Sequence, residues 1–141
     1  ADQIVVYMPE IDKENMGGTM RLGLRPTYFQ EDSDWSNIKK LYGNKPSIEE
    51  RHRHRYEINP NLVDRLEKEG LVFVGKDETG QRCEILELKN HPYFVATQYH
   101  PEYTSKVLDP SSPFVGLVAA SSGVLEQLYN GDFEFHGTAD F

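Results

Sequence analysis

Short apolar runs closed by proline or glycine alternate along this chain with longer stretches whose apolar residues recur at helical spacing. That alternation confines it to the α/β class. Residues 4–8, Ile-Val-Val-Tyr-Met, read as a strand that stops at Pro9. A polar loop and the tight turn Gly17-Gly18 then lead into Thr19-Met20-Arg21-Leu22. Residues 34–42 read as a short helix, capped by Ser33 or Asp34 and ended by Gly43 in the left-handed conformation. Asn59 and Pro60 fit the N-cap and first position of a second helix, with Leu62, Val63 and Leu66 on one face and Gly70 at its close. Residues 71–75 and 82–88 flank Asp77-Glu78-Thr79-Gly80, which has the chemistry of a hairpin turn. Beyond the turn Asn90-His91-Pro92, residues 93–99 form a further strand. Ser112-Pro113 starts the last helix, expected over 113–129, with Phe114, Leu117, Val118, Val124, Leu125 and Leu128 making a broad apolar face.

The 141 residues suffice for one domain, 1–141, and neither a repeat nor a Gly/Ser linker divides them. The stretch 126–141 holds four acids and no Lys or Arg, and is expected to end in a mobile tail. Fifteen Lys and Arg against 23 Asp and Glu leave a formal charge of −8. That balance argues against a nucleic-acid partner, whose phosphates are held by clustered cations, and against an anionic membrane surface. No apolar run approaches the ~20 residues that span a bilayer, and no basic-then-apolar leader opens the chain. The expectation is a soluble, cytoplasmic protein. Cys83 is the single cysteine, which excludes an intramolecular disulfide and a cysteine-based zinc cage.

The sharpest chemical signal is Gln98-Tyr99-His100-Pro101-Glu102. A strand that ends in His, then Pro, puts an imidazole at a sheet edge, and residues two apart in an extended segment share a side. The Glu102 carboxylate can therefore meet one ring nitrogen of His100 and leave the other as a base, which is two-thirds of a nucleophile–base–orienter triad. The plainer alternative is a proline ending a strand between two surface neighbours. The second signal is Arg51-His52-Arg53-His54-Arg55, flanked by Glu49, Glu50 and Glu57. If extended, it turns its arginines one way and its histidines the other. Arginine forks suit a carboxylate or phosphate; equally, the flanking acids could neutralise them in a salt-bridged ribbon. The two histidines lack a third metal ligand at motif spacing, so no metal site is expected. The Gly-rich turn 16–23 lacks the Lys-Ser/Thr ending of a phosphate loop. Cys83 lies mid-strand without the glycine-flanked elbow of a nucleophile and reads as structural.

Taken in order, Met8-Pro9-Glu10, Met16-Gly17-Gly18-Thr19-Met20-Arg21-Leu22-Gly23, Leu41-Tyr42-Gly43, the arginine–histidine run and Gln98-Tyr99-His100-Pro101-Glu102 resemble the C-terminal part of the CTP synthase family. The resemblance runs from about residue 5 to about 122. Those enzymes join a synthetase domain to a class I glutamine amidotransferase domain. The likeness implies the latter half of a flavodoxin-like mixed sheet with flanking helices. It implies a parent protein that hydrolyses L-glutamine to glutamate and ammonia, and uses the ammonia with ATP to convert UTP to CTP. Carried over by motif, His100 is the general base and acid, Glu102 its orienting carboxylate, and Arg55 the holder of the glutamine α-carboxylate. The family's nucleophilic cysteine lies in an upstream elbow that this sequence lacks, so the chain by itself is expected to be inactive. No cofactor belongs to the segment; ATP, Mg2+ and the activator GTP are implied for the full-length enzyme, as are a homotetramer and contacts with the synthetase domain and the upstream part of the amidotransferase domain. The His-Pro-Glu string alone would also suit another class I amidotransferase, a glutamyl hydrolase or a non-catalytic module.

Overall fold

The computed structural model describes residues 3–16 and 19–132. Strand β1 (Val5–Tyr7) pairs with β4 (Tyr56–Ile58) in a two-stranded ribbon. The main sheet has five strands in the order β3-β2-β5-β6-β7, with β2 at Arg21–Phe29, β3 at Ser47–His54, β5 at Leu71–Lys76, β6 at Cys83–Leu88 and β7 at Val95–Thr97. Every pairing among the described strands is antiparallel. Helices α1 (Asn37–Leu41), α2 (Val63–Lys68), α3 (Ser112–Ser121) and α4 (Leu125–Asn130) flank it, so the α/β class holds. The turn expected at Gly17-Gly18 and the tail from 133 onward lie outside the described residues. Residues 126–130, within the stretch expected to end in a mobile tail, belong to α4.

The sheet curls. β3 and β6 stand three places apart in strand order, yet the His52 and Glu84 side chains meet across the interior, and the Arg51 carbonyl accepts the His100 N–H at 2.9 Å. Ile38, Ile48, Val74, Ile85 and Tyr99 fill the core, with Phe29, Trp35 and Leu41 packed against them. Each such apolar side chain stabilises the fold by about 1.5–3 kcal/mol.

Helix α1 begins later than its sequence suggests. Ser36, not Ser33 or Asp34, is the N-cap, its oxygen accepting the Lys39 N–H at 3.0 Å. Its hydroxyl donates to the buried Glu87, which also accepts the Asn37 N–H at 3.0 Å. A carboxylate from β6 thus satisfies donors at the helix start that a local cap leaves open. Gly43 takes φ +73° past the helix end, as expected. In the β5–β6 hairpin, Asp77 accepts from the Thr79 and Arg82 amides and the Thr79 hydroxyl.

The helix expected over 113–129 is two helices. Gly123, at φ +72°, takes the left-handed conformation after α3, and α4 restarts at Leu125. The broad apolar face is not the buried one: Phe114, Leu117 and Val118 are exposed, whereas Gly116 and Ala119 are buried. Small residues win because α3 lies tight on Leu41 of α1 and on Tyr93, whose hydroxyl donates to the Pro113 carbonyl at 2.8 Å.

Candidate active site

His100 stands at the N-cap of a single 3-10 turn, Pro101–Tyr103, that follows β7. Proline fits the first helical position because its missing N–H would find no partner there. The turn brings Glu102 back under the ring, and His100 Nδ1 lies 2.7 Å from Glu102 Oε1. The two meet across a helical turn, not along an extended strand as side alternation suggested. Nδ1–H donates to the carboxylate, and that bond holds the Glu102 carboxyl below its ordinary value. Among the described residues nothing bonds to His100 Nε2, and the side chain is 39% exposed, so this nitrogen is open to an incoming group.

Two contacts fix the turn to β3. One is the His100 N–H to the Arg51 carbonyl; the other runs from the Thr104 hydroxyl to Glu50 at 2.8 Å. Buried Glu50 also accepts from the Tyr42 hydroxyl at 2.8 Å. Arg55 lies in the bend between β3 and β4, half-buried, with Nε donating to the Met16 carbonyl at 2.9 Å. The adjoining Tyr56 carbonyl accepts from His54 Nδ1 at 2.8 Å and from Gln98 Nε2 at 3.5 Å. The structure therefore joins His100 to Glu102 directly and ties Arg55 to the same seam through neighbouring backbone.

The alternation read from the sequence holds through β3: Ile48, Glu50 and His52 are buried, while Glu49, Arg51 and Arg53 are exposed. Among the described residues no ion pair joins Arg51, Arg53 or Arg55 to Glu49, Glu50 or Glu57, so the alternative of a salt-bridged ribbon does not form. Glu50 is engaged by Tyr42 and Thr104, and Glu57 pairs with Arg82 at 2.7 Å, which also meets Glu10 at 2.9 Å.

Sequence reasoning missed one feature. His52 and Glu84 have fully buried side chains, and His52 Nε2 lies 3.1 Å from Glu84 Oε2. His52 Nδ1 lies 3.0 Å from His54 Nε2, and Arg21 Nε is 3.1 Å from Glu84 Oε1. The two Glu84 contacts run off the direction of a hydrogen bond, and the one from Arg21 is a close charge contact. Burial pushes the Glu84 carboxyl up to about 7 and the His52 imidazole down to about 3. The third ligand that the sequence did not offer is present, since atoms of His52, His54 and Glu84 lie within 4.8 Å of one another. They form a chain, however, not a ring about a centre. His52 turns one nitrogen to each neighbour, and the Arg21 guanidinium beside Glu84 repels a cation.

Cys83, 2% exposed, has its thiol pushed up to about 12 by burial, which suits a packing role and not a nucleophile.

The family model for glutamine amidotransferase class-I matches residues 3–120. The chain is 71% identical over 137 residues, 97% of its length, to the CTP synthase of Candida glabrata, and 62% identical over 126 residues to that of Schizosaccharomyces pombe. It spans 24% and 21% of those relatives. Its fold matches the Trypanosoma brucei CTPS glutaminase domain with bound acivicin, at a TM-score of 0.77 and 33% identity, over 86% of this chain and 46% of that one. With the family model matched over most of its length, the chain belongs to the class-I glutamine amidotransferases, and the members it resembles are CTP synthases.

Proposed function

We propose that this chain is the C-terminal part of the glutaminase half of a CTP synthase, and that it carries the base of the amide-splitting reaction. The observation that carries the proposal is the 2.7 Å pair of His100 and Glu102, with the second ring nitrogen open. A carboxylate on Nδ1 fixes the tautomer and stabilises the imidazolium that forms when Nε2 takes a proton. In the parent enzyme a cysteine from the upstream part of the domain gives its proton to His100 and attacks the glutamine amide carbon. His100 then returns the proton to the departing ammonia, and water releases glutamate from the thioester. Arg55, whose Nε is held by the Met16 carbonyl, keeps its terminal nitrogens for the substrate α-carboxylate. The synthetase domain, outside this chain, would hold ATP and Mg2+ and use the ammonia to convert UTP to CTP. GTP activation, a homotetramer and a cytoplasmic location belong to the same reading.

The test uses the full-length protein. His100→Ala should abolish glutamine-dependent CTP formation and leave ammonia-dependent formation intact, and the isolated 141-residue chain should release no ammonia. Loss of both reactions in the variant, or turnover by the isolated chain, overturns the assignment.

A further inference from the structure

Glu50 is an inward-facing acid of β3, 4% exposed, and among the described residues no cation pairs with it. Hydroxyls hold it instead. Its Oε1 accepts the Tyr42 hydroxyl at 2.8 Å, and its Oε2 accepts the Thr104 hydroxyl at 2.8 Å. Tyr42 has given its one hydrogen there, so the Tyr99 hydroxyl, 3.2 Å away, is the donor in their contact. Burial holds both phenols above their ordinary range and keeps them protonated as donors. One carboxylate therefore gathers Tyr99 through Tyr42, and Thr104 directly. These two residues stand on either side of the site: Tyr99 immediately precedes His100, and Thr104 is the C-cap of the 3-10 turn that carries Glu102.

Local forces set this turn only weakly. It is a single 3-10 turn, and its N-cap side chain makes no capping bond, since the His100 ring is engaged with Glu102. Part of what is missing comes from the β3 backbone, where the Arg51 carbonyl accepts the His100 N–H. The neighbouring residue, Glu50, supplies the rest. We propose that Glu50 and Thr104 are positioning residues: the buried carboxylate braces both ends of the turn and so sets how Glu102 meets His100. The effect on rate rests on the functional reading above; the brace itself rests on the hydrogen bonds. The Thr104 hydroxyl has a second acceptor in reach, the Pro101 carbonyl at 3.2 Å, inside the turn itself. Without Glu50 it would close on its own turn and release the tie to β3.

Thr104→Val removes the hydroxyl and keeps the shape of the side chain. In the full-length protein it should lower glutamine-dependent kcat on the order of tenfold, within the loss that a displacement of up to about 1 Å produces. The KM for glutamine should stay within about twofold, because the substrate clamp at Arg55 is untouched. Ammonia-dependent CTP formation should be unchanged, and Thr104→Ser should restore the glutamine-dependent rate. Glu50→Gln should keep most of that rate. Its amide oxygen can accept from Tyr42 while its NH2 group donates to Thr104, whose own hydrogen turns to Pro101. A crystal structure of the Thr104→Val protein should show the 2.7 Å contact of His100 with Glu102 lengthened. If the valine variant does not fold, Thr104→Ala carries the same expectations. An unchanged kcat, a parallel loss of the ammonia-dependent reaction, no recovery with serine, a Gln variant as slow as the Val variant, or an unmoved turn overturns the brace. A wild-type protein that releases no glutamate from glutamine would overturn the functional reading instead, and the brace is then judged on the crystal structure alone.

Discussion

Replacing Gly116 by Ala tests how α3 is seated. A Cβ built on this glycine would stand 2.6 Å from both Cε2 and the hydroxyl oxygen of Tyr93, and closer still to Leu41 Cδ1. Carbon atoms in contact prefer about 3.5–4.0 Å, so roughly 1 Å of overlap must be relieved on two sides at once. Leu41 ends α1 and belongs to the residues packed on the core, while Tyr93 is held by its bond to the Pro113 carbonyl, so neither yields freely. Overpacking of this kind costs about 1–3 kcal/mol, and displacing the Tyr93 bond adds about 1 kcal/mol. Against this, alanine gains about 1 kcal/mol over glycine in a helix interior. The net is a loss of about 1–3 kcal/mol, or roughly 2–12 °C in Tm at about 2–4 °C per kcal/mol. Thermal and urea unfolding followed by far-UV circular dichroism would read it. Leu117→Ala, at a half-exposed neighbour, should stay within about 0.5 kcal/mol. A Gly116→Ala protein as stable as its parent, or more so, would refute the seating of α3 on Leu41 and Tyr93.

Two further outcomes follow from buried titrating groups. Cys83 should resist a thiol reagent at pH 8 in the folded protein and react at once in guanidinium, since burial holds its thiol up at about 12; stoichiometric reaction of the native state within seconds would contradict its packing. For the His52–Glu84 pair the two pulls on stability are opposite. Glu84 rises on folding from 4.5 to about 7, so its contribution is full below 4.5 and lost as pH rises through 7. His52 falls from 6.5 to about 3, so its contribution is full above 6.5 and lost as pH falls toward 3. Between about 4.5 and 6.5 they cancel, and melting temperatures of a His52→Gln, Glu84→Gln double variant and its parent should run parallel there, with the parent falling away on both sides.

Much of this architecture could be read from residue order because its signals are local. Gly43 and the Asp77–Gly80 turn declare themselves through backbone conformation and side-chain acceptors a few residues away. The His100–Glu102 pair is local too, and was legible although the geometry that joins it is a helical turn. What escaped depends on partners far along the chain. The true cap of α1 is chosen by Glu87, 51 positions from Ser36. The buried approach of Glu84 to His52 joins β6 to β3, and no spacing rule announces that a sheet will curl far enough to bring them together. The split of the last helix was signalled by Gly123 but outweighed by apolar periodicity, whose α3 residues Phe114, Leu117 and Val118 proved exposed.

The arginine–histidine repeat leaves β3 with a degenerate alignment. A misalignment by one residue would drive Arg51 or Arg53 inside at several kcal/mol per desolvated ion, and is thereby forbidden. A shift by two is nearly silent on the hairpin itself: His54 replaces His52, Arg53 replaces Arg51, and every side chain keeps its face along the ladder with β2. The features that distinguish the native alignment all lie off that ladder, at Glu84, at the amide of His100 and at the Tyr42–Glu50–Thr104 bonds. The hairpin can zip before it is in step, and its correction waits for elements folded from sequence 32 to 54 residues downstream.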